Sequence, residues 1–248
     1  MTLSRLERLA ASLQTSGLDA VVLNPGPTLK YLTGLNFHLM ERPVVLMVAP
    51  GQDPVIVLPE LELPKVSLFP YKVQAFAYGE NPTEWNGVFR QAVQALGLDG
   101  KRIGVEPRNL RLLEFRHVQS GAPEADFPDA SDALAALRIR KDADEVASMR
   151  QAVKIAQDGL EATLPLIKVG MTEREVAAEL VMQLLRHGSD SELPFAPIVS
   201  GGPNAANPHA SPSDRKLQVG DLLVVDWGAA YNGYISDLTR TFAVVEVD

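Results

Sequence analysis

The sequence contains no cysteine. A disulfide framework, a thiolate zinc site and a cysteine nucleophile are therefore excluded, and the composition fits a reducing cytoplasm. Basic charge is also short: 23 Lys and Arg stand against 31 Asp and Glu, a formal net charge of -8. With no basic cluster along the chain, neither nucleic acid nor an anionic membrane surface is expected as a partner. No apolar run approaches the roughly 20 residues that span a bilayer. At the N-terminus Arg5, Glu7 and Arg8 interrupt Leu3, Leu6, Leu9 and Leu13, which is unlike a signal peptide. That stretch reads as an amphipathic helix stopped by Gly17. The expectation is a soluble, cytoplasmic protein. What is present is ordinary: 46% hydrophobic and 22% charged residues in 248, enough for one large or two modest globular domains.

Hydrophobic patterning divides the chain. Leu18–Leu23 is a short β-branched run ended by the turn chemistry of Asn24-Pro-Gly-Pro27, so it reads as a buried strand. Thr28–Leu32 reads as a short helix closed by Gly34. Val44–Val48 and Val55–Leu58 are strands around the hairpin signal Pro50-Gly-Gln-Asp-Pro54. Val73–Tyr78 and Arg102–Glu106 read as strands, and Thr83–Leu96 and Asn109–Val118 as helices. This first half is an α/β domain with a mixed sheet. Turn formers cluster at Gly121-Ala-Pro-Glu and Phe127-Pro-Asp, which places the boundary near Ala130 and the domains at 1–130 and 131–248. From Ser131 the chain is helical, with Leu134, Leu137, Val146, Met149, Val153 and Leu160 at near-helical spacing. Thr172-Glu-Arg-Glu175 is a capping box opening a helix that stops at Gly188. Phe37–Pro43 and Leu61–Tyr71 are apolar enough for an interface, but ordinary packing is the expectation.

The chemistry concentrates near the C-terminus. Asn232-Gly233 between two strand-like runs is a strong hairpin signal. With these residues as the loop, Tyr231 pairs with Tyr234, Gly228 with Asp237 and Asp226 with Thr239. Asp226 and Asp237 then share a face as diagonal neighbours, β-carbons roughly 7 Å apart or less, and Gly228 leaves space between them. Two carboxylates inside apolar strands need a shared proton, a cation or solvent. Oxygen donors at this spacing suit manganese, magnesium, cobalt or zinc. Against that, one aspartate could be solvated at a strand edge, or the register could slip by one. Upstream, Pro194–Ser200 reads as a strand running into a Gly-, Pro- and Asn-rich loop that holds His209 between Pro208 and Ala210. Such an imidazole could shuttle a proton or bind a substrate carboxylate, or simply be a solvated surface residue. His38, His117 and His187 have no comparable setting.

Val225-Asp226-Trp-Gly-Ala229, Ser236-Asp237-Leu-Thr-Arg-Thr-Phe242 and Ser200-Gly-Gly-Pro-Asn-Ala-Ala-Asn-Pro-His209 together resemble the aminopeptidase P and prolidase family of pita-bread metallopeptidases. Leu137-Arg-Ile-Arg-Lys-Asp-Ala-Asp-Glu-Val146 and Tyr31-Leu-Thr-Gly34 are similar to it too. The resemblance implies an α/β creatinase-like N-terminal domain followed by an α+β pita-bread catalytic domain. It further implies two divalent metal ions, manganese, cobalt or zinc, and hydrolysis of peptide bonds adjacent to proline by metal-activated hydroxide. By the same resemblance Asp226 chelates one metal, Asp237 bridges both, and His209 is the catalytic histidine that contacts substrate and stabilises the tetrahedral intermediate. The partners implied are proline-containing peptides and a second copy of the chain, as a homo-oligomer, expected to be a dimer.

The family's remaining ligands, a His and two Glu, belong to motifs beyond Asp237, and the sequence ends at Asp248. The expectation is a catalytic domain incomplete in this chain: a fragment of a longer protein, a chain completed by another, or an inactive one. The alternative function is a non-catalytic peptide-binding or assembly module. A metal-free amidinohydrolase resembling creatinase is disfavoured, because it has no need for two carboxylates on one hairpin face.

Overall fold

A computed structural model of the chain describes residues 4–245. Leu3 of the first expected helix and Glu246 and Val247 of the last expected strand lie outside them. The chain forms two compact units, residues 1–140 and 141–248.

The first unit is built on three strands buried on both faces: β1 (Ala20–Leu23), β2 (Val45–Val48) and β3 (Val55–Pro59). Period-2 alternation sends their side chains to two separate cores. Val21, Leu23, Leu46, Val48, Ile56 and Leu58 face one way, where α1 (Arg5–Thr15), α2 (Pro27–Thr33) and α5 (Ser131–Arg138) supply Leu9, Leu13, Leu29, Leu134 and Leu137. Ala20, Val22, Val45, Met47, Val55 and Val57 face the other, where α3 (Pro82–Ala95) and α4 (Leu112–Gly121) supply Trp85, Phe89, Val93 and Val118. With β4 (Gln74–Tyr78) and β5 (Ile103–Val105), the sheet order is β4-β3-β2-β1-β5. The outer pairs β3–β4 and β1–β5 are parallel and the inner pairs antiparallel, the mixed sheet that the patterning predicts. A capping box between Ser4 and Glu7 starts α1, and Gly17 with φ +65° ends that region.

Two expectations shift. The turn cluster at Gly121–Asp129 precedes α5 rather than the division between units, because α5 buries Leu134 and Leu137 in the first unit's core and its Ala133 carbonyl accepts from Ser12 Oγ at 2.8 Å. Ordinary packing also fails for part of the two apolar segments. Phe37 is buried and Phe69 packs beside it, but Leu39, Met40, Leu61, Leu63 and Leu68 are exposed, the last three along a 3-10 turn at Glu60–Leu68.

In the second unit α6 (Ala143–Thr163) opens with a capping box between Asp142 and Glu145, which breaks the helical stretch after α5. It packs on α7 (Glu173–Arg186), capped by Thr172 and Glu175 as the sequence predicts. Gly159 lets the two helices meet: a β-carbon there would lie 2.8 Å from Leu184 Cδ2 and 3.3 Å from its Cα. Strands β6 (Ile198–Gly201), β7 (Leu222–Trp227) and β10 (Leu238–Ala243) form an antiparallel sheet in the order β10-β7-β6. Between β7 and β10 lies a small hairpin tip, β8 (Ala230–Tyr231) and β9 (Tyr234–Ile235). Among the described residues no helix is long and apolar enough to cross a membrane.

Candidate active site

Strand β7 is central in its sheet and alternates. Leu223, Val225 and Trp227 are buried against the helices, and Trp227 Nε1–H donates to the Ala156 carbonyl at 2.8 Å. Leu222, Val224 and Asp226 therefore occupy the opposite face. The hairpin has the expected register: Tyr231 pairs with Tyr234 and Asp226 with Thr239. Its loop, Asn232 at φ +51° and Gly233 at φ +79°, has the two positive-φ residues of a type I′ turn, and the Asp190 carboxylate accepts the Gly233 N–H at 3.0 Å. Asp237 lies just before β10, two residues from Thr239, so strand alternation extended by one residue assigns it the Asp226 face.

Asp226 is half-buried, and its Oδ1 is buried with no hydrogen-bond partner. A desolvated carboxylate oxygen without a donor is unfavourable by about 1–3 kcal/mol or more, so this atom suits a cation ligand. Asp237 is exposed. The pair thus fits part of a divalent-metal site as two oxygen donors, while among the described residues no three His, Asp or Glu side chains are grouped to hold an ion. The expected gap beside Gly228 is filled: a β-carbon there would run into the Ser236 carbonyl oxygen and lie 2.9 Å from Pro194 Cγ. This glycine serves close strand approach rather than open room for a ligand.

Strand β6 flanks β7 on its other edge, with Ile198 opposite Asp226 and Ser200 opposite Val224. Ser200, which sequence reasoning passed over, is on the Asp226 face, buried, with Oγ unpartnered. From Gly201 the chain enters a 3-10 turn, Gly202–Ala206, and then the His209 segment. Asn207 Oδ1 accepts the His209 N–H at 3.1 Å and the Asn207 carbonyl accepts from Ala210 at 3.2 Å. The backbone at His209 is thereby fixed while the residue itself is exposed.

Sequence reasoning also missed what holds this loop. Glu173, the first residue of α7, is fully buried. Its Oε1 accepts from Gly201 N–H at 2.8 Å and Asn204 Nδ2 at 3.0 Å. Its Oε2 accepts from Ser213 Oγ at 2.6 Å and Ser213 N–H at 3.0 Å. Burial alone would raise this carboxyl, but the donors from Ser213, Gly201 and Asn204 outweigh it and hold it below the usual glutamate value. Next to it Arg215 makes a two-pronged ion pair with Asp221, at 2.6 and 2.8 Å. The Arg215 hydrogen bonds are the main cause that keeps the Asp221 carboxyl below its ordinary value.

Residues 5–140 match the Creatinase/Prolidase N-terminal domain, and residues 147–248 match metallopeptidase family M24. The chain belongs to the M24 metallopeptidases that carry a Creatinase/Prolidase N-terminal domain. Its fold is accordingly a creatinase-type domain followed by pita-bread domain structure. A prolidase from Thermococcus sibiricus superposes with a TM-score of 0.88 at 26% identity, covering 100% of this chain and 68% of that one. A dipeptidase from Pyrococcus horikoshii OT3 gives a TM-score of 0.87 at 34% identity, with 98% and 66% covered. The Xaa-Pro dipeptidase of Lactobacillus delbrueckii subsp. lactis is 27% identical over 97% of this chain and 66% of its own length. The M24 chain described here thus spans just under two thirds of the curated relatives it matches, 66% of the first three.

Proposed function

We propose that this chain is part of an Xaa-Pro peptidase of the aminopeptidase or dipeptidase type, a hydrolase of peptide bonds adjacent to proline. The observation that carries this reading is the buried, partnerless Oδ1 of Asp226, opposite Thr239 on the hairpin that also carries Asp237, in a chain of metallopeptidase family M24. Asp226 and Asp237 would hold two divalent ions, with manganese the first choice and cobalt or zinc as alternatives. When bound, such ions supply Lewis acidity and an activated water at neutral pH. Asp226 gives a fixed, half-desolvated carboxylate on the central strand. Asp237 gives a second from the residue just before β10, reachable from solvent. His209, fixed in backbone and open in side chain, contacts the substrate and donates to the oxygen on which charge develops.

The test is manganese-dependent release of proline, or of an N-terminal residue, from proline-containing peptides by the natural protein. Asp237→Ala abolishes it; full activity in that variant would refute the site assignment. An intact mass above 26.9 kDa for the natural protein supports further ligands on the same polypeptide. The non-catalytic alternative is not favoured beside relatives named as peptidases; peptide affinity surviving EDTA would revive it. The reading includes a homodimer, supported by the exposed Leu61, Leu63 and Leu68 and checked by sedimentation of Leu68→Glu, which should be monomeric. It also includes a cytoplasmic location, checked by cell fractionation.

A further inference from the structure

The loop carrying His209 has two feet, Gly201–Asn204 on one side and Ser213 on the other, and both are tied to a single carboxylate. Glu173 is 0% exposed, and its two oxygens accept from Gly201, Asn204 and Ser213 at 2.6–3.1 Å. Backbone bonds reinforce the tie, since Glu173 N–H donates to the Arg215 carbonyl at 3.1 Å and Arg174 N–H to that of Ser213 at 3.2 Å. Every group facing the carboxylate in this set is a donor, and Arg215 is committed to Asp221. A capping box needs Thr172 and Glu175 but makes no demand on the residue between Thr172 and Arg174. The Glu173 side chain therefore serves the loop rather than the helix.

We propose that Glu173 is a positioning residue for His209: by clipping both feet of the loop to the start of α7, it sets where the imidazole stands. The inference rests on the reading of His209 as the substrate-contacting histidine. A carboxylate is required because Gln would present an amide donor to groups that are themselves donors, and Asp falls short by one methylene. Removing one such acceptor weakens a charge-assisted bond and frees the foot it held.

The test compares Glu173→Gln with the parent in the natural full-length protein. It reads amide hydrogen exchange at Gly201 and Ser213, the imidazole NMR resonances, and kcat and KM on a proline-containing dipeptide. This chain has only 4 histidines, so its signals can be assigned by substitution. The expected result is exchange at both amides faster by about tenfold or more, and a displaced or broadened His209 resonance with His38 and His117 unmoved. The kcat should fall by roughly tenfold or more with KM changed by less than about twofold. Unmoved His209 signals and unchanged kcat, despite faster amide exchange, would reduce Glu173 to a structural clip and overturn the proposal. A displaced His209 resonance in a protein whose parent cleaves no proline peptide would support the positioning role while refuting the functional reading. If Glu173→Gln does not fold, Asn204→Ala removes one tie from the loop side and should move His209 in the same way; an unmoved signal there overturns the proposal too.

Discussion

Gly228→Ala should be among the most damaging single-methyl additions in the second unit. A β-carbon at this position would collide with the Ser236 carbonyl oxygen, lie 3.1 Å from its carbon and 2.9 Å from Pro194 Cγ. Two of the three obstacles are backbone atoms of the facing strand, which also donates Ser236 N–H to the Ala229 carbonyl at 2.9 Å. Neither can rotate away. Overpacking costs about 1–3 kcal/mol, and a backbone obstacle puts this case at the upper end, about 3 kcal/mol. At roughly 2–4 °C per kcal/mol for a chain of this size, the melting temperature should fall by about 6–12 °C. The collision lies between Asp226 and Asp237, so manganese affinity measured by calorimetry should fall as well. Gly87→Ala is the control of opposite sign: that glycine is inside α3 with nothing within 4 Å of its added β-carbon, and alanine there should stabilise by about 0.5–1 kcal/mol. A Gly228→Ala protein that melts with the parent and binds manganese equally well would refute the close-approach argument.

Asp226→Ala removes a buried oxygen that has no donor, so without metal it should be no less stable than the parent. With manganese at 100 times the dissociation constant, the parent of full length should gain about 2.7 kcal/mol in thermal unfolding and the variant none. The carboxyls of Glu173 and Asp221 titrate below their ordinary values. Their stabilisation is therefore complete above the unfolded values of about 4.3 and 3.9 and is lost as pH falls through the lower folded values. Acid unfolding followed by circular dichroism should accordingly be shallower below about pH 4 in Glu173→Gln than in the parent. Trp227→Phe forfeits the bond to Ala156 together with ring volume in the core. It should cost about 1–3 kcal/mol in denaturant titration.

The hairpin was legible because its determinants are local: Asn232-Gly233 sets the turn, and the turn fixes the register from Tyr231 opposite Tyr234 out to Asp226 opposite Thr239. The three buried strands of the first unit were legible for the same reason. What escaped depends on distance. Nothing around Glu173 announces that Gly201 and Ser213, 28 and 40 residues away, will converge on it; the neighbouring capping box supplies a sufficient local explanation for an acidic first turn. The unit division was misplaced because turn residues mark where a chain bends, whereas membership in a core is decided by contacts such as those of Leu134 and Leu137 with α1. The role of Gly228 was misjudged because a missing side chain reads alike in sequence whether the space is left open or taken by a neighbour.

The packing of α5 on α1 has a consequence for synthesis on the ribosome. Leu13 is made early, and Leu137, which shares its core, emerges 124 residues later (137 − 13). At about 5–20 residues per second, the flank of the first helix that α5 covers stays bare for roughly 6–25 s. Through that interval the nascent chain offers an adhesive stripe to holdase chaperones, and ribosome release short of Ser131 would leave it permanently open to aggregation.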